Sequence, residues 1–266
     1  MFRVLIPIAA AGLLSACGAE APRVPLAPKK EPAAEAGYVS PPMVNRIETT
    51  AAGVTLTGSA PAGAPVRLAS PDGASLSASA DGKGVWRLTM APAATPRLFG
   101  LSTTQGKRTV QSQGYLLLTP EGLAYQLRAG AGAIRIGAVA APAITAFDFD
   151  REGAAMVSGV APAGTAITVR ADGRQSADGR SNATGAFAIS LTQPLTPGAH
   201  TIKIYNDGAE DSATIDTSPA ASLTDGPFRS SRTPAGLRVD WMTPGGGVQS
   251  TVIINQVDMA VGVPSR

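Results

Sequence analysis

Gly58-Ser-Ala-Pro-Ala-Gly-Ala-Pro-Val-Arg-Leu68 recurs as Gly159-Val-Ala-Pro-Ala-Gly-Thr-Ala-Ile-Thr-Val169, at an offset of 101. The same offset pairs Gly84-Val-Trp-Arg-Leu88 with Gly185-Ala-Phe-Ala-Ile189, and Thr95-Pro96 with Thr196-Pro197. Further on the offset grows to 114, where Thr119-Pro-Glu-Gly-Leu123 meets Thr233-Pro-Ala-Gly-Leu237. One Ala-Pro-Ala-Gly would mean little in a chain this rich in Ala, Pro and Gly. Three matches in register mean an internal duplication, with about 13 extra residues in the second copy between 205 and 228. Each copy, about 95–110 residues long, is large enough for its own core.

The period inside each copy is two. Val54/Leu56, Val66/Leu68 and Trp86/Leu88/Met90 alternate with polar neighbours. Ile167/Val169, Phe187/Ile189/Leu191 and Ile202/Ile204 do the same in the second copy, and Leu123/Tyr125/Leu127 matches Leu237/Val239/Trp241. Such alternation marks half-buried strands. Pro61-Ala-Gly63, Pro71-Asp-Gly73, Asp81-Gly82, Asp172-Gly173 and Asp178-Gly179 read as turns between them. Short strands with turns every 8–12 residues predict antiparallel sandwiches, and no useful amphipathic helix follows residue 43.

The run Gly-x-Ala-Pro-Ala-Gly-x-x-(Val/Ile)-x-(Leu/Val), followed by Gly-x-(Trp/Phe)-x-(Leu/Ile), resembles the bacterial Ig-like domains of envelope and adhesion proteins. The resemblance covers about 47–104 and 148–205 and leaves out 107–137 and 207–255, where each copy adds a hairpin-like segment. It implies an all-β fold of two tandem Ig-like antiparallel β-sandwiches at 43–140 and 141–255, with a tail at 256–266. It also implies a spacer or interaction module rather than an enzyme, and carries over no catalytic residue.

The N-terminus points to a compartment. Met1-Phe-Arg3 precedes an apolar run from Val4 to Leu14, too short for a transmembrane helix of about 20 residues. It ends in Leu14-Ser15-Ala16-Cys17, and Cys17 is the only cysteine. The segment resembles a bacterial lipoprotein signal peptide at 1–16, with Leu14, Ser15 and Ala16 as the signal-peptidase recognition residues. The resemblance implies cleavage before Cys17 and membrane attachment through acyl chains, palmitate among them, on that cysteine. Gly18 in place of an aspartate favours the outer membrane, with the domains facing the periplasm. Residues 17–42, with Ala21-Pro-Arg-Val-Pro-Leu-Ala-Pro28 and Ser40-Pro-Pro42, read as a flexible, disordered tether.

Charge excludes one class of partner. Loss of Arg3 leaves 21 Lys+Arg against 19 Asp+Glu, a near-neutral balance that implies no nucleic acid. A lone, lipid-bearing cysteine forms no intramolecular disulfide, so burial and hydrogen bonds must hold the fold.

The candidates for chemistry are sparse. His200 is the only histidine, stands at the position of Phe99 in the first copy, and has no Gly-x-Ser-x-Gly beside it. Asp148/Asp150, near the junction between copies, and Asp207/Glu210/Asp211 are oxygen-rich but lack the ligand density of a calcium loop. Thr243-Pro-Gly-Gly-Gly247 lacks the Lys-Ser/Thr and helix of a phosphate loop and reads as a hairpin turn or bulge. Trp86 and Trp241 could stack on sugars, but their repeat partners are Phe187 and Leu127, which assigns both to the core. The reading is therefore a non-enzymatic envelope lipoprotein without cofactor or metal, acting as a structural or protein-interaction module. An envelope-glycan binding module, for peptidoglycan or polysaccharide, is the alternative.

Overall fold

The computed structural model describes residues 38–254; the signal segment, Cys17, most of the tether and the tail at 256–266 lie outside them. The chain divides between Tyr38 and Val39, and both repeat copies fall in the unit that begins at Val39. The first copy supplies β1 (Met43–Thr50), β2 (Gly53–Ser59), β3 (Pro65–Ala69), β4 (Ser75–Ser79), β5 (Val85–Met90), β6 (Arg97–Gln105), β7 (Arg108–Leu118), β8 (Ala124–Leu127) and β9 (Ile134–Ile136). The second supplies β10 (Ala143–Phe149), β11 (Ala155–Val160), β12 (Ala166–Ala171), β13 (Arg174–Arg180), β14 (Ala186–Ser190), β15 (Ala199–Asn206), β16 (Ala209–Asp216), β17 (Phe228–Thr233), β18 (Gly236–Met242) and β19 (Val248–Ile254). The fold is all-β, and no helix occurs among the described residues.

The strands form four antiparallel sheets. Sheet A has the order β1-β2-β5, sheet B β4-β3-β6-β7-β8-β9, sheet C β14-β11-β10-β19-β18-β17 and sheet D β13-β12-β15-β16. Sheets A and B enclose the first core, with Leu56, Val66, Leu68, Trp86, Phe99 and Leu118 in it. Sheets C and D enclose the second, with Phe147, Val157, Ile167, Val169, Phe187 and Ile204. A third cluster joins the copies: Leu98, Leu117, Tyr125 and Leu127 from sheet B meet Ala146, Val239, Trp241 and Ile253 from sheet C. Sheets B and C are thus apolar on both faces. Every residue of β10 is buried, whereas its counterpart β1 is exposed or half-buried throughout.

The duplicated glycines have one physical cause. A Cβ on Gly58 would lie 2.0 Å from the Met43 carbonyl oxygen and 2.4 Å from the Trp86 ring; on Gly159 it would lie 2.0 Å from that of Ala143 and 2.6 Å from the Phe187 ring. Both glycines sit beneath the core aromatic of their copy, beside the bulge that bends β1 at Val44/Arg46 and β10 at Ile144/Ala146. The turn before each aromatic strand is also repeated. Asp81 Oδ1 accepts the Lys83 and Val85 N–H groups, as Asn182 Oδ1 accepts those of Thr184 and Ala186.

Two details correct or refine the sequence reading. Asp178-Gly179 is not a turn: both lie inside β13, paired with Thr168 and Ile167. The glycine is there because a Cβ would meet the Ile189 side chain at 2.7 Å. The extra residues of the second copy fall between β16 and β17, at 217–227.

Candidate functional site

Asp148 pairs with Met156 as Glu48 pairs with Thr55, so it stands where the first copy has Glu48, a half-buried residue bonded to Arg46. It is 4% exposed, on the face of β10 that looks toward the first copy. Gln249 Nε2 (2.9 Å) and the Thr251 hydroxyl (2.5 Å) donate to its Oδ1, and the Ala133 N–H donates to Oδ2 at 2.9 Å. The Thr251 hydroxyl in turn accepts the Trp241 indole N–H at 3.0 Å. Burial pushes the Asp148 carboxyl above its ordinary range and outweighs the three donors and the Arg128 charge. Gln249 also accepts the Gly130 N–H, and Arg128 closes that loop by donating to the Ala131 and Gly132 carbonyls. The carboxylate therefore ties the β8–β9 loop of the first copy to sheet C of the second. The adjoining cleft, bounded by Gly132, Met156 and Leu191, holds about 240 Å³, below the roughly 300–1,000 Å³ of ordinary small-molecule sites.

Asp150 does a different job. Its Oδ1 caps the β10–β11 turn by accepting the Glu152 and Ala154 N–H groups. The other acidic cluster is also engaged. Asp207 and Gly208 form the positive-φ hairpin turn, Glu210 pairs with Lys203 at 3.6 Å, and Asp211 accepts the Ile144 N–H at 2.7 Å. Among the described residues no three acidic, histidine or cysteine side chains converge closely enough to hold a metal ion.

His200 has an acid partner that the sequence reading missed. Its Nδ1 lies 2.7 Å from Asp172 Oδ2, and its Nε2 lies 2.7 Å from the Thr196 carbonyl. The imidazole–carboxylate pair has the geometry of a catalytic dyad. However, Nε2, the nitrogen that would take a nucleophile's proton, faces a carbonyl acceptor and so must carry hydrogen. Burial pulls the imidazole pKa down, but Asp172, the Thr196 carbonyl and the Asp216 charge outweigh it and hold it above the ordinary value. Two acceptors on one ring make a cationic staple, not a base.

A second polar cluster was also missed. Asp240 Oδ1 accepts from Arg238 Nε (2.8 Å) and the Ser250 hydroxyl (2.7 Å), and Oδ2 accepts from Arg229 at 2.9 Å. Burial would raise the Asp240 carboxyl, but Arg238, Ser250 and Arg229 hold it below its ordinary value. Sheet D has four strands and sheet C six, and the apolar cluster between them stops short of Arg238 and Asp240 on β18. The sequence signal for Asp148 was its place beside Asp150 near the junction between the copies.

Trp86 and Trp241 are both fully buried, and Tyr38 is the only exposed aromatic among the described residues. Trp86 donates to the Ser59 carbonyl, and Tyr115 meets Trp241 edge-on with centroids 5.7 Å apart. The Thr243–Gly247 stretch is a hairpin turn closed by Thr243 N–H donating to the Gly247 carbonyl at 2.8 Å.

No family model and no curated protein matches the sequence. Among solved structures, the chain is similar to one described as "Biofilm associated protein - BSP domain", at 17% identity and a TM-score of 0.25, over 70% of this chain. The chain spans about 30% of the length of that one. At that TM-score the likeness carries no argument about function.

Proposed function

We propose that the protein is a lipid-anchored, non-enzymatic module of a bacterial cell envelope that works by engaging another protein along a strand edge. The observation that carries this reading is the contrast between its buried polar groups and its surface. Asp148, His200 and Asp240 each have their oxygens or nitrogens turned to partners within the fold, whereas the outer edge of β4 is left open. Leu14-Ser15-Ala16-Cys17 supports the anchor and, with Gly18, an outer-membrane address facing the periplasm. Several acyl chains on Cys17 would hold the protein firmly where one would be marginal. The glycan alternative loses its best candidates, since both indoles are buried.

The anchor is tested by fractionation and intact mass of Cys17→Ser, which should lose all lipid and leave the membrane. A Cys17→Ser chain that still bears lipid contradicts the anchor. The interaction role is tested by cross-linking in cells and by sedimentation with purified cell wall. Capture of a protein partner without wall binding supports it, and wall binding alone moves the glycan reading to first place.

A further inference from the structure

The sheet edges of this protein are guarded in different ways. Arg46 and Glu48 lie on β1, Arg87 on β5, Arg135 on β9, Arg229 and Arg232 on β17, and Glu210 and Asp211 on β16. Charges on an edge strand discourage pairing with another chain. β13 carries Arg174, Asp178 and Arg180, and it is bulged at Ser176, where the register shifts against Val169/Arg170. That bulge turns the Ser176 carbonyl toward the end of β14, where it accepts both the N–H (2.9 Å) and the hydroxyl (2.8 Å) of Thr192. The uncharged edge β14 is thereby stitched to its neighbour.

The first copy has none of these devices at β4. Its sequence is Ser75-Leu76-Ser77-Ala78-Ser79, without charge or proline. It pairs with β3 in unbroken register, and Ala91 replaces the stitching threonine. Ala80 N–H donates to the Ala64 carbonyl, and the Ala74 carbonyl accepts the Ser70 N–H. Ladder bonds recur at alternate pairs, so Leu76 and Ala78 bond inward to β3. Ser75, Ser77 and Ser79 turn their N–H and C=O groups outward, and all three are exposed. Leu76 is 37% exposed although its row faces the first core.

We propose that β4 is a homotypic docking edge: a second copy of this chain pairs its own β4 antiparallel to it, about a two-fold axis at Ser77. This rests on reading the protein as an interaction module and names the partner. The strand is self-complementary. Pairing about Ser77 sets Ser75 against Ser79 and Leu76 against Ala78, small residues whose hydroxyls can bond across the pair while Leu76 gains cover. About six backbone hydrogen bonds form, because three residues on each side present both groups. The contact is isologous and closes at two, joining two copies of sheet B. Strand pairing alone buries less than the roughly 1,200 Å² of a stable complex, so the dimer is weak in dilute solution and gains from confinement on a membrane.

The test uses the full chain in cells with three variants. Ser77→Cys places a thiol at the axis, where paired strands lie about 5.5 Å apart at Cα, within disulfide range. It should run as a covalent dimer without reductant, whereas Asp178→Cys, at the equivalent position of β13, should stay monomeric. Ser77→Pro removes only an outward N–H, so circular dichroism should be unchanged while chemical cross-linking of copies is lost. A monomeric Ser77→Cys, or equal dimer from Asp178→Cys, overturns the proposal. If self-pairing fails but Ser77→Pro, still folded, loses a different cross-linked protein, the interaction reading survives without it. If Ser77→Pro changes no cross-link at all, both fall.

Discussion

In the first copy β7 runs unbroken from Arg108 to Leu118; in the second the same stretch is cut into β16 and β17 by residues 217–227. Unbroken, β7 keeps β8 and β9 in the sheet of β3 and β6. It pairs with β6 along its whole length and takes β8 on its other side from Tyr115 onward, just past Gly114, where a Cβ would lie 1.8 Å from the Leu127 carbonyl oxygen. Cut, the chain lets β17, β18 and β19 cross to the opposite sheet, where β19 pairs with β10. A short insertion thus moves three strands from one layer to another. The consequence is a sheet C covered on both faces, with the repeat-equivalent strands β8 and β18 meeting in the shared core. The second copy needs polar pins, Asp148 and Asp240, that the first does without.

The largest effects should come from the two tryptophans. Truncating a buried aromatic to Ala costs about 3–5 kcal/mol, a large share of a domain's roughly 5–15 kcal/mol. Trp86→Ala should lower the melting temperature sharply, and Trp86→Phe mildly, since the second copy uses Phe187. Trp241→Ala should cost as much but also loosen the contact between copies, which hydrogen exchange at Ala133 and Gln126 would reveal. An Ala variant that melts like wild type would break the assignment of both indoles to the core.

Asp148→Ala comes next. It strands the Ala133 N–H and the Gln249 and Thr251 donors in a buried site, at about 3 kcal/mol for the set. Denaturant titration measures that loss, and exchange at the β8–β9 loop should rise with it. Glu48→Ala, at the equivalent place of the first copy, should leave that loop protected.

The smallest effect is a pH slope. His200 is held above its ordinary value of about 6.5, so its contribution is complete below about pH 6.5 and lost as pH rises through the folded value. Asp172 is half exposed, which keeps the change under about 1 kcal/mol. His200→Phe, which removes the titrating ring and keeps an aromatic of similar size, should flatten stability between about pH 6 and pH 8.

Much of this was legible in the sequence. Period-two alternation located the strands of both cores, and the offsets located the insertion. The glycines at 58 and 159 declared a constraint, although only the structure shows that an aromatic ring sets it. Sheet membership was not legible, because alternation shows that a strand has an apolar face but not which layer it joins. For the same reason β10, Ala-Ile-Thr-Ala-Phe-Asp-Phe, gave no sign that its Asp148 side is buried too. Asp172 was read as a turn residue, since a partner 28 positions away leaves no local pattern.

The two copies are joined through one shared core. Differential scanning calorimetry of the chain from Tyr38 to Arg266, with Trp241→Ala alongside, tests it most directly. A shared core gives one cooperative transition in the wild type, with calorimetric and van't Hoff enthalpies equal, and a shift of the whole transition in the variant. Two separate transitions in the wild type, with Trp241→Ala moving only one of them, would contradict it.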